Sequence, residues 1–160
     1  MSIYNPETYD FFTAVGPQMG RVKAAFVATL DEKLAPLGVR SADYLVMVAV
    51  ANGITTASSV CSLMSHDPGA MTRKIDALEE RGWVRRVRSA EDRRTIKLEL
   101  TAEGRKVYPK LLATAVGISN EFLRGFTKAE VRQLESLLAR MLANGESMGY
   151  AQPRVKEAVQ

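Results

Sequence analysis

The sequence is poor in the residues that carry most enzyme and metal chemistry. It has one cysteine, Cys61, and one histidine, His66, among 160 residues. A lone cysteine excludes an intramolecular disulfide and fits a reducing compartment, so a cytoplasmic protein is expected. One histidine and one cysteine five residues apart fall short of the four ligands that zinc ordinarily takes, and no metal or other cofactor is expected. Cys61 lies at helical spacing from Met64 and reads as a small core residue. No apolar run reaches roughly the 18 residues of a membrane span. The first ten residues lack the basic start and apolar stretch of a secretory signal. Phosphate-binding G-x-x-x-x-G-K, nucleophile-elbow G-x-S-x-G and paired-cysteine motifs are all absent, and an enzyme is not expected.

What the chain does have is a core and a local excess of positive charge. Hydrophobic residues make up 46% and charged residues 25%, a globular balance. The net charge is +4. The stretch from Arg81 to Lys106 holds nine Lys/Arg and four Asp/Glu, so all of the excess sits there. Such a patch is the electrostatic footprint of a surface that meets phosphates, or else a solvated charged face.

Hydrophobic periodicity gives the element order. Tyr9, Phe12, Met19, Val22, Phe26, Leu30 and Leu34 mark one helical face, interrupted at Gly16-Pro17. A short leading helix is expected, then a new one with Pro17 in its first turn. Pro36 and Gly38 end it. Ser41 is expected to cap a second helix that Asn52-Gly53 closes, and Thr56 a short third one. Asp67 before Pro68 is a strong helix start, and Met71, Ile75 and Leu78 form that helix's buried stripe up to Gly82. Trp83, Val84 and Val87, a polar stretch, and then Ile96, Leu98 and Leu100 at period two give a hairpin. Thr101 caps a long helix that includes Pro109 and is expected to kink there. Thr127-x-x-Glu130 is a capping box opening a last helix, which Asn144-Gly145 should stop.

The expected fold class is therefore mainly α with a small β-hairpin wing. It is a winged helix-turn-helix over residues 41–101, with an all-helical dimerisation region built from residues 1–40 and 102–145. Residues 146–160 are expected to form a flexible tail. In this design the second helix of the pair enters the major groove, its first residues against base edges. Here those are Pro68, Gly69, Ala70, Thr72, Arg73 and Lys74. Small residues allow close approach, and Arg73 can donate two hydrogen bonds to guanine O6 and N7. The alternative for Arg73 and Lys74 is ordinary exposed helix charge.

Three stretches carry a resemblance. They are Leu78-Glu79-Glu80-Arg81-Gly82-Trp83-Val84-Arg85-Arg86, Glu91-Asp92-Arg93-Arg94-Thr95, and Leu100-Thr101-Ala102-Glu103-Gly104-Arg105. Together they are similar to the core signature of the multiple-antibiotic-resistance regulator (MarR) family of transcriptional regulators, across roughly residues 20–145. The resemblance implies that Arg94 enters the minor groove and Asp92 holds the wing in shape. Arg93 then contacts phosphate, and Arg88 adds to the patch. The doubled arginine departs from the family's Asp-x-Arg pattern and leaves both Arg93 and Arg94 available for the groove. Narrow minor grooves attract arginine by their enhanced negative potential, which agrees with these roles.

The resemblance also implies a homodimer on a palindromic DNA operator. Apolar residues on more than one face of the last two helices, among them Leu112, Val116, Leu123, Phe126, Leu137 and Leu142, agree with that. Many family members bind small aromatic acids or phenols in a crevice between dimer helices and DNA lobe. The matching residues here are Arg21, Phe26, Tyr44 and Tyr108, with His66 at the junction before the reading helix. Each has a plainer reading: Tyr44 as core, His66 as a turn residue or phosphate contact. Peroxide-sensing relatives carry a reactive cysteine in the first helix, and this chain has none there. The expected function is a repressor released by such a ligand. The alternatives are a regulator without an inducer, or a protein-interaction adaptor on the same fold.

Overall fold

The computed structural model describes residues 2–64, 67–89 and 95–150. Their order is α1 (Val15–Leu34), a 3-10 turn (Ala35–Leu37), α2 (Ser41–Ala51), α3 (Ala57–Met64), α4 (Pro68–Glu80), β1 (Val84–Arg88), β2 (Ile96–Leu100), α5 (Ala102–Phe122) and α6 (Lys128–Ser147). The two strands pair antiparallel, Val84 opposite Leu100 and Arg88 opposite Ile96. His66, Asp92, Arg93, Arg94 and the tail beyond Tyr150 lie outside the described residues.

One core joins all the helices except α6 with both strands. Leu30 and Leu34 of α1, Val46, Met47 and Val50 of α2, and Val60 of α3 meet the α4 stripe Met71, Ile75 and Leu78. Leu98 of β2 and Leu111, Ala115 and Ile118 of α5 complete it. Helices α1 and α5 and the hairpin lobe thus share a single packed interior with α4. Helix α6 buries no residue at all.

Most start and stop signals work as expected. Asp67 accepts a hydrogen bond from the Ala70 N–H at 2.8 Å, with Pro68 at the first helical position. Thr127 and Glu130 cap each other's backbone N–H groups, Glu130 at 2.7 Å and Thr127 at 3.2 Å. Gly38 ends the 3-10 turn with φ of 64°, and Gly82 follows α4 at 68°, both left-handed conformations that favour glycine.

The structure corrects four expectations. The leading helix around Tyr9 and Phe12 does not form. The Asn5 side chain accepts from the Glu7 N–H, and Asp10 accepts from the Phe12 N–H and the Thr13 hydroxyl. Such local bonds offer the backbone turns in place of a helix. Ser41 is the first residue of α2 rather than its cap. Arg40 takes the cap position, because Asp43 reaches back to the Arg40 N–H at 3.0 Å. Helix α6 continues through Asn144-Gly145 to Ser147 and turns at Gly149, with φ of 94°. The tail therefore begins later than residue 146. Beyond these expectations, the Leu98 N–H donates to the Thr55 carbonyl at 2.6 Å, tying β2 to the loop before α3.

Candidate nucleic-acid interface

The site starts from α4. Its stripe of Met71, Ile75 and Leu78 is fully committed to the core, so the other faces of the helix point outward. Pro68, Gly69, Thr72 and Arg73 are exposed, and Ala70 and Lys74 are partly so. The Thr72 hydroxyl donates back to the Pro68 carbonyl at 3.0 Å, which leaves its oxygen free to accept. A Cβ on Gly69 would sit 3.1 Å from the Asp67 carboxylate and 3.8 Å from an Arg73 guanidinium nitrogen. Glycine there keeps the cap and the Arg73 head close together over the first turn. The Lys74 charge is among the causes, the smallest of them, that lower the Asp31 pKa.

The hairpin lies directly after α4 in the chain and packs on it. Arg88 closes β1 and is exposed, with no ion-pair partner among the described residues. Ile96 opposite it is 53% exposed, so the hairpin leaves the core at this point. Arg85 and Arg86 behave differently. Arg85 pairs with Glu99, its register partner across the hairpin, at 2.8 Å. Arg86 pairs with Asp76 and Glu79 of α4. Counting arginines along the strand missed this. Opposite charges at paired register positions and at i, i+3 on α4 were the signal. Arg81 is also engaged: it donates to the Gly38 carbonyl at 2.6 Å and lies 5.2 Å from the centre of the Trp83 ring.

The aromatic candidates only partly converge. Phe26 of α1 meets Phe122 of α5 edge to face, with ring centroids 5.4 Å apart. Tyr44 of α2 is buried, and burial, followed by the neighbouring Tyr108 of α5, pushes its pKa up. Phe26 and Tyr108 both pack on the core edge. Arg21 is exposed and lies five residues before Phe26, about 140° round the helix. A cleft does occur between α5 and α6, about 350 Å³ and lined by Asn120, Leu123, Phe126, Lys128, Val131 and Arg132. None of Arg21, Phe26, Tyr44 and Tyr108 lines it. Among the described residues no three His, Cys, Asp or Glu side chains are placed to share a metal ion. No single described helix is long and apolar enough to cross a membrane.

The helix pair α3 and α4, followed at once by a two-stranded hairpin, is the element order of a winged helix-turn-helix protein. The family described as "MarR family" matches residues 42–96. The multiple antibiotic resistance protein MarR of Escherichia coli is 30% identical over 141 residues, 84% of this chain and 97% of that protein. The HTH-type transcriptional repressor MdtR of Bacillus subtilis is 28% identical over 72% of this chain and 76% of its own. The crystal structure of CouR from Rhodococcus jostii RHA1 bound to p-coumaroyl-CoA superposes with a TM-score of 0.75 at 25% identity. It covers 84% of this chain and 95% of that one. The chain belongs to the MarR family. It is a DNA-binding transcriptional regulator and not an enzyme.

Proposed function

We propose that the chain is a cytoplasmic homodimeric repressor that reads a palindromic operator with α4. The observation that carries this reading is the outward first turn of α4. Gly69, Ala70, Thr72 and Arg73 stand clear of the core there. In this reading Arg73 addresses a guanine, Thr72 and Lys74 a base or phosphate, and Arg88 a phosphate. Arg93, Arg94 and Asp92, outside the described residues, keep in this reading the roles the resemblance implies: phosphate or minor groove for the arginines, and shape of the wing for the acid. The dimer is supported by apolar side chains that one chain leaves in water. These include Val22 on α1, Leu112 and Val116 on α5, and Leu134, Leu137, Met141 and Leu142 on α6. Repression is supported by the likeness to MdtR, described as a transcriptional repressor.

Release by a small aromatic acid or phenol goes with this reading. Its support is two aromatic pairs at different levels of α5, Phe122 with Phe26 and Tyr108 with Tyr44, and the p-coumaroyl-CoA bound to CouR. Arg21 would supply the carboxylate partner only if a ligand draws it inward. A specific observation favours a second reading, a regulator without such a ligand: Tyr44 is 7% exposed and already filled around by core. The test is fluorescence anisotropy on a duplex enriched from a random pool by the protein, with salicylate, benzoate and p-coumarate added in turn. Two protomers per palindrome are expected, with weakened binding in at least one acid. A monomer binding a half-site as tightly would overturn the first part, and no response to any acid the second.

A further inference from the structure

We infer that Arg86 is a positioning residue, a clamp that sets the angle between the reading helix and the wing, rather than a contact to DNA. This rests on α4 being the reading helix. One guanidinium nitrogen of Arg86 donates to Asp76 at 2.6 Å and another to Glu79. Glu79 also accepts the backbone N–H of Arg86 at 3.0 Å through its other oxygen. The same strand residue is thus held at both its backbone and its side chain by two carboxylates one helical turn apart on α4.

Three observations favour a clamp. The Arg86 side chain is only 31% exposed, whereas that of Arg85, its neighbour on the strand, is 59% exposed. Burial opposes its charge, yet the hydrogen bonds to Asp76 and Glu79 outweigh that and hold its ionisation above the ordinary arginine value. The clamp also sits where it has leverage. Arg86 pairs in register with Leu98, whose N–H is fixed to Thr55, and Arg88 stands two residues further on the same strand face. A rotation of the hairpin about β1 would carry Arg88 and the following loop away from α4. Two elements that must enter adjacent grooves together need that angle fixed beforehand.

The structure therefore assigns to Asp76 and Glu79 a role in DNA binding despite their charge. Arg86→Lys keeps the charge but loses the planar fork that reaches both acids. Asp76→Asn and Glu79→Gln make the protein more positive while loosening the fork. Binding of each variant is measured on the selected duplex and on a shuffled one, over a range of salt. Melting temperatures are recorded, and Arg73→Ala is run alongside.

The clamp predicts that all three substitutions weaken the selected duplex about tenfold. It also predicts that the shuffled duplex is bound nearly as before and that the salt slope stays unchanged. Tighter binding by Asp76→Asn or Glu79→Gln would overturn it in favour of simple charge. So would wild-type binding by Arg86→Lys, or a lowered melting temperature with preference for the selected duplex intact. A salt slope reduced by about 0.9 in Arg86→Gln would make Arg86 a phosphate contact instead. If Arg73→Ala leaves the preference untouched, the reading-helix assignment itself has failed. If Arg73→Ala abolishes the preference while the clamp variants keep it, only the clamp has.

Discussion

Asp31, in the last turn of α1, accepts the backbone N–H of Ser41, the first residue of α2, at 2.6 Å. A carboxylate from one helix thus serves an orphan donor at the start of another, across the turn that joins them. That hydrogen bond is the largest cause lowering the Asp31 pKa, opposed by burial and aided by the Ser41 side chain, Arg40 and Lys74. The folded carboxylate therefore binds protons less readily than the unfolded one. Its stabilisation is full above the ordinary aspartate pKa of 3.8 and fades as pH falls through the lower folded value. Asp31→Asn should cost about 1 kcal/mol at neutral pH. In urea titrations from pH 7 to pH 3 the gap from wild type should narrow below about pH 4. A gap constant across that range would contradict the assignment.

Gly104 occupies the one glycine position where backbone meets backbone. A Cβ there would lie 2.0 Å from the carbonyl oxygen of Trp83. That carbonyl already accepts the Thr101 N–H at 3.0 Å, so neither chain segment can move aside freely. Gly104→Ala should destabilise the fold by about 1–3 kcal/mol or more, read as a lowered urea midpoint. An unchanged midpoint would show that the start of α5 shifts at no cost.

Leu137 is 41% exposed on a helix that buries nothing within its own chain. If a second copy covers it, Leu137→Glu places a charge in an apolar interface and should give monomers in light scattering at micromolar concentration. A variant with the mass of the wild-type dimer would place the interface elsewhere.

How far the sequence revealed the fold depended on whether the deciding forces were local. The Asp67-Pro68 start, the Thr127 capping box and the Met71, Ile75, Leu78 stripe are set by neighbours within a few residues, and all were legible. The start of α2 was misread because its donors are served by Asp31, ten residues away, and by Asp43. The first fourteen residues have helical apolar spacing, but Asn5 and Asp10 bond their own backbone and turns win. At the interface, the outward residues of α4 followed directly from its buried stripe. On charge alone the sequence does not distinguish Arg85 and Arg86 from Arg88. Only the strand register and the packing of β1 on α4 separate paired Arg85 and Arg86 from exposed Arg88.

Arg94 and Asp92, outside the described residues, carry the wing proposal. Arg94→Ala should weaken binding if that side chain meets phosphate or the minor groove. The slope of log K against log salt should then fall by about 0.9 for each phosphate no longer neutralised. Asp92→Ala should weaken binding as well, although it removes a negative charge near DNA. Tighter binding by Asp92→Ala would make that residue a solvated loop charge only.

The most direct test of the reading-helix proposal is the affinity of Arg73→Ala for the selected duplex and for a shuffled duplex of equal length, at one salt concentration. A loss of about 1–3 kcal/mol is expected on the selected duplex and little change on the shuffled one, so that discrimination falls. Equal losses on both would reduce Arg73 to a phosphate contact. No loss on either would contradict the assignment of α4 as the element that reads the operator.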